Sequence, residues 1–220
     1  DEIKEKGGKL ISFTSNTGGL IAPECDNNPW NYKLTWNVRN VILAGQAGAK
    51  FLQNGKYKYI PYSQLFNRTE RISVLNYGEF DSYANRDSLS YIDVYKIHGI
   101  DTIFRGTLRR PGYTQAWNVF VNLGMSDDSY VIDNSDRLTN RDFIEAYLPH
   151  YYGLSTEEIF CKHLNIDTNS DIFKKFEWLG MFEKTPIKLS NATPAQILQS
   201  IIEPKWKFEG NDKDMIIMQH

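Results

Sequence analysis

The sequence predicts an α+β fold: a mixed β-sheet with helices packed on it. Three observations point there. Strand signals crowd the first half, capped helix signals crowd the second, and the two kinds do not alternate as βαβ units would. Taken in order, residues 9–13 (KLISF) read as a short strand leading into a polar, glycine-containing loop at 14–19. Ala49–Gln53 and Lys56–Ile60 flank Asn54-Gly55, a dipeptide suited to a two-residue hairpin turn because both central residues must take positive φ. A helix is expected at 89–95, and Thr102–Arg109 reads as a strand. In 112–124, Tyr113, Ala116, Trp117, Phe120 and Leu123 recur at spacings of three and four, with Gly124 placed to end the helix. Ser155-Thr-Glu-Glu158 and Thr193-Pro-Ala-Gln196 both match the capping box and predict helix starts. Residues 171–180 place Ile172, Phe173, Phe176 and Leu179 on one stripe before a glycine. Pro204 is expected to end the helix that Pro194 opens, and Asp214–Gln219 closes the chain as a strand.

Composition narrows the function classes. A formal charge of −2 over 220 residues offers no bulk cationic field for nucleic acid or an anionic membrane, so anion recognition must be local. No apolar run approaches the ~20 residues of a bilayer span, and no basic, apolar leader follows Asp1. Cys25 and Cys161 have no CxxC neighbour; reduced thiols in a cytoplasmic compartment are expected, with a single bridge as the alternative. The histidines His98, His150, His163 and His220 show no metal-ligand spacing, and no GxGxxG, GxxxxGK[ST] or GxSxG motif occurs. With no repeat or linker in view, one domain over 1–220 is the simplest organisation.

Three segments carry polar groups that could meet a ligand. Gly18-Gly19 after Thr17 either serves a turn needing positive φ or lets backbone amides approach an anion. In Asn85-Arg86-Asp87-Ser88, Asp87 or Ser88 caps the following helix and Arg86 pairs with Asp87, or Arg86 clamps a ligand carboxylate. In Thr102–Arg109, alternation puts Arg105, Thr107 and Arg109 on one face, where like charges require separation or a partner anion. Gly106 inside that strand weakens it unless something approaches closely.

The runs 15–24 (SNTGGLIAPE), 27–36 (NNPWNYKLTW), 83–88 (YANRDS), 105–109 (RGTLR) and 214–220 (DMIIMQH) together resemble the substrate-binding domain of saccharopine dehydrogenases of the saccharopine reductase type. The resemblance covers essentially the whole chain. It implies the substrate and dimerisation half of an NAD- or NADP-dependent oxidoreductase that interconverts saccharopine with glutamate and aminoadipate semialdehyde in lysine metabolism. Hydride leaves a carbon next to nitrogen and water opens the resulting imine. By position, Arg86, Thr107, Leu108 and Arg109 are then expected to bind the substrate, with Thr17 standing where the family typically has cysteine; Gly18, Asn85 and Arg105 complete the expected substrate-binding set. Asp87 is the one candidate base. The dinucleotide-binding Rossmann domain would lie in cis outside this chain, so no cofactor is expected on it. A homodimer, a small amino-dicarboxylate ligand and no nucleic-acid or membrane partner are expected. The alternatives are a relative acting on another amine, of the carboxynorspermidine dehydrogenase or homospermidine synthase type, and a non-catalytic ligand-binding or dimerisation module.

Overall fold

The computed structural model describes residues 2–35 and 37–220; Asp1 and Trp36, the latter closing the run 27–36, lie outside the described residues. In chain order the elements are α1 (Glu2–Glu5), β1 (Ser12–Ile21), α2 (Val38–Ile42), β2 (Ala49–Gln53), β3 (Lys56–Ile60), α3 (Tyr62–Leu65), β4 (Thr69–Val74), β5 (Gly78–Ala84), α4 (Tyr91–Val94), β6 (Thr102–Arg109), α5 (Tyr113–Leu123), α6 (Asn140–Glu145), α7 (Thr156–Leu164), α8 (Asp171–Trp178), α9 (Pro194–Trp206) and β7 (Asp214–Gln219). The architecture is α+β, as expected. It divides into two compact units, each assembled from separate stretches of chain: Asp1–Gly19, Gly45–Pro111 and Met215–His220 in one, Leu20–Ala44 and Gly112–Asp214 in the other.

The first unit is built on a seven-stranded mixed sheet. Strands run β3-β2-β6-β1-β7, and β5 adds β4 to the side of β6. β1 and β6 are parallel, from Ser12 opposite Thr102 to Thr17 opposite Thr107. The β2–β3 and β4–β5 pairs are antiparallel. Asn54 and Gly55 both take positive φ, so the hairpin forms as its dipeptide demands. Leu52, Ile97, Ile100 and Ile103 form a small core under Phe13, Leu89 and Tyr91. Two expectations fail here. The stretch 14–19 is not a loop: it continues β1, which begins at Ser12 rather than at residue 9. Its backbone is paired in the parallel ladder to β6, a long-range pairing that local composition does not encode. The helix expected over 89–95 is the single turn α4.

The second unit is helical around a cluster of rings. Trp30, Tyr113, Trp117, Phe120, Phe176 and Trp206 are all essentially buried. Trp30 sits at 5.2 Å from Trp206 and 5.8 Å from Tyr113, edge to face, and stacks on Phe120 at 6.1 Å. Its indole N–H donates to the Lys175 carbonyl at 3.1 Å. The capping boxes at Ser155 and Thr193 form, and a third forms at Thr139 with Asp142 in the reciprocal position. Gly124 ends α5 in the left-handed region. Pro204 does not end α9, which runs two residues further to Trp206. A proline there forfeits one hydrogen bond in the last turns, while Trp206 is fully buried in the ring cluster, so packing overrides the break. Cys25 and Cys161 are free thiols. Among the described residues no helix is long and apolar enough to cross a membrane, and no group of three His, Cys, Asp or Glu could hold a metal ion.

Candidate functional site

All the residues singled out from the sequence fall within the first unit, on β1, β6 and the turn after β5. Residues in register on adjacent strands share a face. Thr17, Thr107 and Tyr83 stand in one row across β1, β6 and β5. Arg109, Asp81 and Arg71 form the next row, across β6, β5 and β4. Two residues before Thr107 on β6 is Arg105, opposite Ser15.

The two arginines of β6 have different surroundings. Arg105 is half-buried and lays its guanidinium 3.9 Å over the Tyr91 ring, while its carbonyl accepts from the Asn85 amide at 2.7 Å. Arg109 is buried; one of its terminal nitrogens donates to the Leu108 carbonyl at 3.0 Å. Asp81, opposite it in register, is only 2% exposed and also accepts from Arg71 Nε at 2.8 Å. A buried carboxylate thus stands in register between Arg71 and Arg109, on the strand face where alternation places Arg109.

The opposite face explains the glycines. A Cβ on Gly106 would lie 2.0 Å from Asn16 Oδ1 and 2.4 Å from Ser82 Oγ. Those two buried side chains meet over the glycine, Ser82 Oγ donating to Asn16 Oδ1 at 2.7 Å, and Asn16 Nδ2 donates on to Gln219 at 2.9 Å. Gly18 is neither a turn nor a positive-φ residue; a Cβ there would stand 2.8 Å from the Leu108 carbonyl oxygen, so it is needed for close strand approach. The Gly106→Ala variant is therefore expected to lose about 1–3 kcal/mol through forced displacement of this buried polar bridge. Chemical denaturation checks it; an unchanged midpoint would show that the bridge moves aside freely.

The turn 85–88 is strapped down by its backbone. Arg86 takes φ 48, a conformation costly for a non-glycine residue, and its carbonyl accepts from Lys50 N at 2.9 Å while Ser88 N donates to Lys50 O at 2.9 Å. Its side chain is exposed and, with Asp87, Lys50, Tyr59 and Tyr62, lines a cleft of 760 Å³. Asp87 pairs with Lys50 Nζ at 3.0 Å, not with Arg86, and accepts from the Ser90 amide at 3.1 Å. Burial opposes its charge, but the hydrogen bonds from Lys50, Ser90 and Leu89 and the Lys50 charge outweigh it, holding the carboxyl below the usual aspartate range. Such a carboxylate is a weak base at neutral pH. A larger groove, 1380 Å³, lies in the second unit and contains none of the sequence-predicted residues.

The model of the saccharopine dehydrogenase C-terminal domain family matches residues 1–151 and 134–220, which together span the chain. The chain belongs to this family. Saccharopine dehydrogenase (NADP(+), L-glutamate-forming) of Schizosaccharomyces pombe is 32% identical over 229 residues, covering all of this chain and 50% of that protein. Mitochondrial alpha-aminoadipic semialdehyde synthase of Bos taurus is 30% identical over 239 residues, covering all of this chain and 24% of that protein. The solved apo saccharopine dehydrogenase (L-Glu forming) of Saccharomyces cerevisiae superposes with a TM-score of 0.83 at 30% identity, over 99% of this chain and 50% of that one. The chain spans about half the length of the fungal relatives it matches. Within this saccharopine dehydrogenase domain, the alternation of one strand led to Arg105 and Arg109 but could not reveal Asp81, Asn16 or Ser82, which other strands bring beside it.

Proposed function

We propose that this chain is the substrate-binding half of an NADP-dependent, L-glutamate-forming saccharopine dehydrogenase. The observation that supports this most is the alignment of the whole chain, at about 30% identity, with proteins carrying that name. The geometry adds a polar sheet face in one unit, with the exposed Arg86 held in a fixed backbone conformation at a cleft. Saccharopine carries several carboxylates, and a planar guanidinium suits them as a two-pronged donor. In this reading Arg86 takes a substrate carboxylate; Thr17 and Thr107, adjacent in register, offer hydroxyls; and Arg105, over the Tyr91 ring, and Arg109, in register with Asp81, set the field of the strand face. The residues present give a dinucleotide no GxGxxG turn, so this chain contributes the grip on substrate and not the cofactor's seat. A homodimer in a reducing, cytoplasm-like compartment belongs to the proposal; exposed Ile216 and Met218 on the edge strand β7 favour a covering copy.

The test is turnover by the protein that carries this chain together with a dinucleotide-binding domain. With saccharopine and NADP+, NADPH and glutamate should form in equal amounts, and the 220-residue chain alone should form neither. Saccharopine binding without turnover in the longer protein would favour a non-catalytic module, and turnover of a polyamine substrate instead would favour the other amine dehydrogenases.

A further inference from the structure

We propose that Lys50 and Asp87 together receive the α-amino-acid end of the substrate, Asp87 accepting from its ammonium and Lys50 donating to its carboxylate. This rests on the reading above that the cleft beside Arg86 holds saccharopine, and it gives Asp87 a role other than that of a base. The residues involved all belong to the first unit. Lys50 on β2 is in register with Tyr59 on β3 and forms a parallel bridge with Asp87, so Asp87, Lys50 and Tyr59 stand in one row across the turn and the β2–β3 hairpin. Arg86 precedes Asp87, and all four line the same cleft. Among the lining residues the acidic and basic side chains are two cations, Arg86 and Lys50, and one anion, Asp87. An amino-dicarboxylate presents the complement, two carboxylates and one ammonium.

The Lys50–Asp87 pair keeps capacity for such a ligand. An ammonium has more donors than the one that Lys50 Nζ spends on Asp87 Oδ2 at 3.0 Å. The Asp87 carboxylate accepts from Lys50, Ser90 and Leu89, which leaves lone-pair capacity for a further donor. Both side chains are open to solvent, 46% and 36% exposed, so a ligand reaches them. The pair is not needed to hold the turn, because the Lys50 backbone already bonds the Arg86 carbonyl and the Ser88 amide, and an ion pair this exposed adds little stability. Burial opposes the charge of Asp87, but its hydrogen bonds and the Lys50 charge prevail, so it meets an ammonium as a carboxylate. Exposed Tyr59, beside Lys50 in register, offers a wall for the methylene chain that leads away from that end.

The test uses the protein that joins this chain to a dinucleotide-binding domain. Its substrates are saccharopine and two analogues altered in the lysine half, one lacking the α-amino group and one lacking the α-carboxylate. Wild type should use each analogue with a kcat/KM about tenfold to a hundredfold below that for saccharopine, the scale of one lost charge-assisted hydrogen bond. Asp87→Asn should bring saccharopine down to within about threefold of the analogue without the amino group, and Lys50→Gln should do the same for the analogue without the carboxylate. A pair that only braces the turn would slow all three substrates alike in either variant and leave both ratios unchanged, which overturns the proposal. A wild type that does not distinguish saccharopine from the analogues overturns it without any variant. Absence of saccharopine turnover in wild type instead rejects the reading of the cleft itself, so the two failures are told apart.

Discussion

Replacing Asp81 by alanine is expected to destabilise the chain by about 3–5 kcal/mol, the usual cost of removing one partner from a buried charge pair. The carboxylate is 2% exposed and stands in register between Arg71 on β4 and the buried Arg109 on β6. Without it, Arg109 keeps its charge at a buried position with no carboxylate in register opposite. Arg71 is half exposed, so Arg71→Ala should cost only about 0–1 kcal/mol. The contrast between the two variants in urea unfolding is the diagnostic. Similar small losses for both would mean that Asp81 does not hold the arginine of the strand face.

The second large effect belongs to the ring cluster. Trp30→Ala is expected to lose about 3–5 kcal/mol, because the indole contacts Trp206, Tyr113 and Phe120 and the cavity left cannot collapse around rigid rings. Trp30→Phe keeps a ring but leaves the Lys175 carbonyl without its donor, and should lose less, about 1–3 kcal/mol. Far-ultraviolet circular dichroism through a urea titration measures both. A loss under about 1 kcal/mol for the alanine variant would contradict the packing described.

Much of the fold could be read from local signals where the chain's own chemistry decides the outcome. Asn54-Gly55, the boxes at Ser155 and Thr193, and Gly124 each satisfy a backbone requirement within a few residues, and each forms as expected. The box at Thr139 escaped because aspartate replaces the usual glutamate or glutamine. What long-range pairing decides could not be read. β1 extends through Thr17 and Gly18 because β6 lies parallel to it, and the two units share no linker because each is threaded from separated stretches. The same limit applies to the site. Alternation on β6 placed the arginines, whereas Asp81, in register with Arg109, and Tyr91, under Arg105, come from other elements.

Arg86 tests the central claim most directly, since it is the exposed guanidinium of the proposed clamp and makes no fold-supporting ion pair with Asp87. In the protein that joins this chain to a dinucleotide-binding domain, Arg86→Lys keeps the charge but removes the planar, two-pronged contact. The KM for saccharopine should rise by roughly 10- to 150-fold, corresponding to about 1.5–3 kcal/mol, at an unchanged melting temperature. A KM within about threefold of wild type, the range of a median exposed charge, would contradict the assignment of this chain as the grip on substrate.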